Sequence, residues 1–168
     1  MGKVASFNFF SCRVFLSVIS PNIIQSYYSI NPKNILKSQS NIIASSQYNF
    51  QIELIQKVGV NDIQKIIEIS EQLVEIFGSQ SLMDEKNIHK YFNTKTLPFI
   101  ARYNQAIIGY IIGVPLEYFK DEAWSHFDTN LFKKNTLYTY AFILDKKFQI
   151  RTGYAKTLKM SWQGELRL

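Results

Sequence analysis

Residues 136–159 read TLYTYAFILDKKFQIRTGYAKTLK: an apolar, aromatic run, then a basic turn, then a glycine at the head of a helical pattern. The run through Leu144 predicts a strand. Gly153-Tyr154-Ala155 predicts the first turn of a helix reaching about Trp162. A strand that passes through a glycine turn into a helix is suited to anions, because the first N–H groups of a helix lack internal acceptors and its dipole makes that end positive. These residue types point to a phosphate held on main-chain N–H groups, without naming the molecule that carries it.

Upstream, residues 97–102 and 106–114 are β-rich runs joined by Tyr103-Asn104-Gln105, the pattern of a hairpin. Gly109 and Gly113 stand four apart in the return run. There they relieve crowding, mark a bulge or admit a ligand to the backbone. Residues 50–58 alternate as a strand with Ile52, Leu54 and Gln56 on one face. After Gly59, Asn61 or Asp62 is expected to cap a helix ending at Phe77, with Ile63, Ile66, Ile67, Val74 and Phe77 at helical spacing and Gly78 as the stop. A shorter helix is expected over residues 82–92, with Asp84 and Glu85 in its first turn, and another over 121–127. The order β-α-α-β-β-(α)-β-α is that of an α/β fold: helices flanking one mixed, mostly antiparallel sheet.

Composition narrows the function classes. The 168 residues are 46% hydrophobic, with 13 Phe and 10 Tyr, enough for one domain with a real core. Of the 19 basic residues only Lys3, Arg13, Lys33 and Lys37 fall in residues 1–50, where none of the 13 acids lies. The rest is therefore near charge balance despite a net charge of +6, and no nucleic-acid partner is expected. Cys12 is the single cysteine, and His89 and His126 lack ligand spacing, so no metal is expected. The longest apolar run, residues 106–116, is about half of the ~20 residues a membrane helix needs, so no membrane partner is expected either. Residues 1–48, with Pro21, Pro32 and the tract SQSNIIASSQ, read as an irregular leader that places a domain boundary near Tyr48. An acid-free, Ser-rich leader is either an organellar targeting segment or an extension without an address, the latter implying a cytoplasmic protein.

The element order, together with Gln149 and the turn into Gly153-Tyr154-Ala155, resembles the GNAT family of acyl-CoA-dependent N-acetyltransferases. In that family a strand end is followed by Gln or Arg, two residues and Gly-x-Gly or Gly-x-Ala. Here Ile150-Arg151-Thr152 make the spacing one residue longer. The hairpin through Phe99-Ile100-Ala101-Arg102 and Ala106-Ile107-Ile108-Gly109-Tyr110 is similar to the family's second and third strands, and the resemblance covers roughly residues 50–162.

The resemblance implies a splayed sheet and acetyl-CoA as acyl donor. Main-chain groups of Phe142, Ile143 and Leu144 would lie beside the pantetheine arm. Gln149, Ile150, Arg151, Thr152, Gly153, Tyr154 and Ala155 would form the pyrophosphate turn, with Lys146 and Lys156 adding charge. The reaction implied is acetyl transfer to a primary amine, with Tyr138, Tyr140 and Glu117 as candidates on the amine side; Tyr138 and Tyr140, two apart, share a strand face. The family continues with further strands and a tyrosine acid, whereas this sequence stops at Leu168. Residues 49–168 therefore read as a C-terminally truncated domain whose open sheet edge would self-associate. The alternative is a non-catalytic interaction module that keeps the α/β half of the fold.

Overall fold

The computed structural model describes residues 35–46, 49–149 and 153–165, together with the main chain of Val14–Phe15. Six strands, β1 (Val14–Phe15), β2 (Gln39–Ser45), β3 (Phe50–Lys57), β4 (Leu97–Tyr103), β5 (Ala106–Pro115) and β6 (Thr136–Leu144), form one sheet in the order β1-β6-β5-β4-β3-β2. Every pairing is antiparallel. Helices α1 (Val60–Phe77) and α2 (Glu85–Tyr91) cover one face; the single turn α3 (Lys146–Gln149) and helix α4 (Tyr154–Glu165) lie toward the other. The α/β class and the helix-flanked, antiparallel sheet are those expected from the element order.

The sheet starts earlier than the expected boundary near Tyr48. Strand β2 lies inside the stretch read as an irregular leader and pairs with β3 from Gln39↔Lys57 to Ser45↔Gln51. Its side chains are mostly exposed, so no apolar alternation announces it. Main-chain bonding and Ser38 and Ser40 tie it down instead. The same segment caps α1: the N–H groups of Val60 and Asn61 donate to the carbonyls of Ile35 (3.0 Å) and Leu36 (3.1 Å). Neither Asn61 nor Asp62 is the cap; Gly59 holds that place without a side-chain bond. Glycine is required there by proximity, since an added Cβ would stand 2.3 Å from the Lys37 carbonyl carbon and 2.4 Å from the Ser38 nitrogen. The apolar stripe of α1 is also turned from the expected one. Ile69, Ser70 and Leu73 join Ile63 and Ile66 in the interior, while Phe77 is exposed.

The hairpin turn is two residues, not three. Asn104 and Gln105 take φ of 49° and 67°, the left-handed pair that matches the twist of the flanking strands, and Tyr103 belongs to β4. One bulge interrupts β5 and a second interrupts β6. The first is the extra residue Ile108 opposite Ala101 and Arg102, which reverses the alternation so that Ile107 joins the cluster with Tyr110 and Ile108 the one with Ile111; Gly109 lies against β6, where an added Cβ would meet the Ile143 carbonyl oxygen at 2.5 Å. Gly109 and Gly113 thus answer to packing within the sheet and against α4.

Asp62 belongs to a part-buried charge cluster. Arg102 donates through Nη1 and Nη2 to both Asp62 oxygens (3.0 and 2.6 Å) and through Nε to Glu53 (3.0 Å). Ser38 donates to Asp62 and Ser40 to Glu53. Burial alone would push the Asp62 carboxyl up, but the Arg102 and Ser38 hydrogen bonds and the Arg102 charge hold it below the ordinary aspartate value. The folded value being the lower one, this group's contribution to stability is complete above the unfolded value of about 3.9 and is lost as pH falls through the folded value. Urea denaturation from pH 6 downward should therefore show a steeper acid loss for the parent than for Asp62→Asn. Equal slopes would rule out this origin.

Candidate functional site

The last strand carries the irregularity on which the site turns. Ile112 pairs with Ala141 and Gly113 with Thr139, so Tyr140 is an extra residue, a bulge that leaves a main-chain unit out of the regular ladder. The bulge also changes the alternation. Tyr138, Tyr140, Ala141 and Ile143 all lie toward α1 and α2, while Leu137 and Leu144 lie toward α4. Strand β1 meets β6 only at Leu137 and Thr136. From Tyr138 to Leu144 the outer edge of β6 has no strand partner among the described residues.

On the α1 and α2 side, the Tyr140 ring stacks on Tyr91 with centroids 4.1 Å apart and also meets Phe119. Burial first, then the neighbouring Tyr91, pushes the Tyr140 hydroxyl well above the usual tyrosine value. Tyr110 is fully buried, its hydroxyl has no hydrogen-bond partner among the described residues, and burial pushes it up in the same way. Both phenols therefore stay protonated at neutral pH. Tyr138 donates to Asp128 Oδ2 (2.8 Å), and Asp128 Oδ1 accepts from the Asn130 N–H (2.9 Å). Trp124 sits edge-on to Tyr138 at 5.2 Å. An open recess of about 290 Å³ is lined by Trp124, Phe127, Asp128, Thr129 and Tyr138. Glu117 lies apart in role: its carboxylate accepts the Lys134 N–H (2.9 Å) and pins the loop before β6.

Past the strand, the Asp145 N–H donates to the Ile108 carbonyl (2.7 Å), and Asp145 Oδ1 accepts from the Lys147 N–H (3.0 Å), which winds the basic turn into α3. Gln149 points back: its amide donates to the Leu144 carbonyl (2.6 Å), so these two groups bond each other. Lys146 is ion-paired with Glu75 on α1, and its N–H donates to Gln72. The charge it was expected to lend to the turn is thus directed at α1 instead. Phe142 is part-exposed, whereas Ile143 and Leu144 are buried. Ile150, Arg151 and Thr152 lie outside the described residues.

Gly153 opens α4 with φ of 66°, and an added Cβ would meet nothing within 4 Å. Its carbonyl accepts from both the N–H and the hydroxyl of Thr157 (2.9 and 3.0 Å). Tyr154 stacks on Phe50 at 4.4 Å, with Tyr103 and Phe148 beside it, which holds the start of the helix to the sheet. Ala155 is part-buried in the same cluster.

No family model and no curated protein matches the chain. Among solved structures the chain is similar to the crystal structure of an aminoglycoside acetyltransferase from an uncultured soil metagenomic sample, in complex with trehalose. The two share 21% identity and a TM-score of 0.47, and the match covers 71% of each chain.

The structure brings Tyr138 and Tyr140 to one face and gives Glu117 a loop-pinning bond. Sequence reasoning missed Asp128 and Trp124. The available signal was a run of exposed aromatics, Trp124, Phe127 and Phe132, in an otherwise polar segment, since such residues in a loop need a reason to be there. Among the described residues no helix is long and apolar enough to cross a membrane.

Proposed function

We propose that the chain is an acyl-CoA-dependent N-acyltransferase that binds acetyl-CoA and passes the acetyl group to a primary amine. The observation that carries the reading is the outer edge of β6, which from Tyr138 to Leu144 has no strand partner among the described residues, is interrupted by a bulge at Tyr140 and is followed by the Gly153 turn into α4. An extended arm can lie along such an edge through main-chain hydrogen bonds. A helix start headed by glycine accepts a phosphate because nothing stands over its N–H groups. The open space over Gly153 fits that use.

Acetyl-CoA would supply a thioester carbonyl. The residues of the chain then have three tasks. Gly153, Tyr154 and Ala155 present main-chain N–H groups to the pyrophosphate, and on this reading Gln149, Ile150, Arg151 and Thr152 complete the turn. Phe142, Ile143 and Leu144 guide the arm along β6. The main-chain unit freed by the bulge at Tyr140 serves the developing oxyanion, while Tyr138 and Tyr140 line the side from which the amine arrives. The amine nitrogen bonds to the acyl carbon, the carbon–sulfur bond breaks, and the proton lost by the amine balances the one gained by the thiol.

Calorimetric titration with acetyl-CoA tests the donor half. Gly153→Trp fills the open space and should weaken binding at least about tenfold, or 1.4 kcal/mol. Gly153→Asn keeps a residue that tolerates positive φ and should retain binding. No binding by the parent, or equal binding by the Trp variant, removes the phosphate-turn argument.

A further inference from the structure

We infer that two copies of this chain pair edge to edge through β2, antiparallel about a two-fold axis, and so join their sheets into one. Strand β2 ends the strand order, and among the described residues no strand pairs with its far side. Its outward main-chain N–H and C=O groups are therefore a template for another strand. Such edges are ordinarily guarded by lysine, by proline or by an inward-pointing charge. Here the sequence from Ser38 to Ile52 holds no charged residue and no proline. Apolar exposure gathers at the same place. Ile42, the middle residue of β2, pairs with Glu53 and shares its face of the sheet. Ile42 is 59% exposed, and Leu36 and Val60, joined where the segment before β2 caps α1, are 67% and 57% exposed. Aliphatic side chains exposed together in this way mark an interaction surface.

Charge and symmetry identify the occupant as a second copy. An uncharged edge offers no attraction to an acidic or a basic peptide, but it matches itself. In the antiparallel arrangement Ile42 of each copy meets Ile42 of the other at the axis, an aliphatic cross-strand pair. The two Lys37 side chains then fall at opposite ends of the paired strands. A parallel arrangement would set them side by side, where like charges repel. The contact uses the same patch on both copies and closes at two. Ile43 is an extra residue opposite β3. This bulge bends the strand and keeps the pairing short, so the dimer is reversible and depends on concentration.

Sedimentation equilibrium of the full chain, from about 1 μM to about 1 mM, tests this. The parent should show a monomer–dimer equilibrium, and Ile42→Lys, which places a guard on the edge, should weaken it at least about tenfold. Ile42 is exposed, so the variant should keep the parent's urea midpoint at low concentration. Phe127→Ser, at another exposed apolar residue, should leave the dimer unchanged. Amide exchange over Asn41, Ile42 and Ile43 should slow as concentration rises, while exchange along β6 should not. A chain that is monomeric throughout overturns the proposal. So does a dimer that Ile42→Lys leaves intact, one that Phe127→Ser abolishes, or protection that arises along β6 instead of β2. Ile42→Lys should bind acetyl-CoA as the parent does, so failure of the dimer and failure of the donor reading are told apart.

Discussion

Replacing Trp162 by alanine should destabilise the chain by about 3–5 kcal/mol, a large share of the 5–15 kcal/mol typical of a domain. The indole is 1% exposed, and its Nε1 donates to the Leu97 carbonyl (3.2 Å). It lies over Gly113, where an added Cβ would stand 2.9 Å from Trp162 Cζ2 and 3.3 Å from Leu97 Cβ. The missing side chain on β5 thus forms the slot that α4 fills, and Leu158 one turn earlier completes the contact. The interlock makes a sharper prediction. Gly113→Ala should cost about 1–3 kcal/mol by overpacking, and much less in a Trp162→Leu background, where the crowding atoms are gone. Urea midpoints for the four proteins of that cycle give the coupling. Strict additivity would show that the slot does not hold the helix.

The second large effect is at Arg102. Its guanidinium stands between Glu53 and Asp62, with side-chain exposures of 13%, 10% and 13% respectively. Removing one member of a largely buried ionic group leaves the others uncompensated, a loss of up to about 3–5 kcal/mol. Arg102→Met should therefore be strongly destabilised although its stem packs as well as the original. The orphaned charge, more than the lost contacts, causes the loss. Arg102→Met with Asp62→Asn should accordingly recover at least about 1 kcal/mol relative to Arg102→Met alone. If the two losses simply add, the cluster is not acting as a charge-compensated unit. Ser38 and Ser40 join β2 to this cluster, so loss of the cation should also loosen the edge strand, visible as faster amide exchange across Gln39–Ser45.

How far these features could be foreseen depends on whether their cause is local. The hairpin was legible because two β-rich runs close in sequence need only a short turn. Its length was not, because Asn104 and Gln105 lack the glycine that usually marks a two-residue turn. The strand over residues 136–144 was evident from composition, but the bulge at Tyr140 was not, since it is defined only by the register in which β6 pairs with β5. Gly153 was recognisable as a helix opener. The pairing of Gln149 with Leu144, and of Lys146 with Glu75, depended on how the turn packs after folding. Asp62 looked like a helix cap from its position. It serves a cation 40 residues away instead, and the real cap comes from Ile35 and Leu36.

From sequence came the α/β class, the hairpin and the glycine that opens the last helix, because apolar period and turn chemistry are properties of neighbouring residues. Tertiary structure alone decided that an exposed segment would become the strand β2, that Gly113 would receive Trp162, and that Asp128 would meet Tyr138 on β6. These are encounters between distant parts of the chain. They are selected by close packing and by the need to satisfy buried polar groups, and neither cause has a period that can be read along the chain.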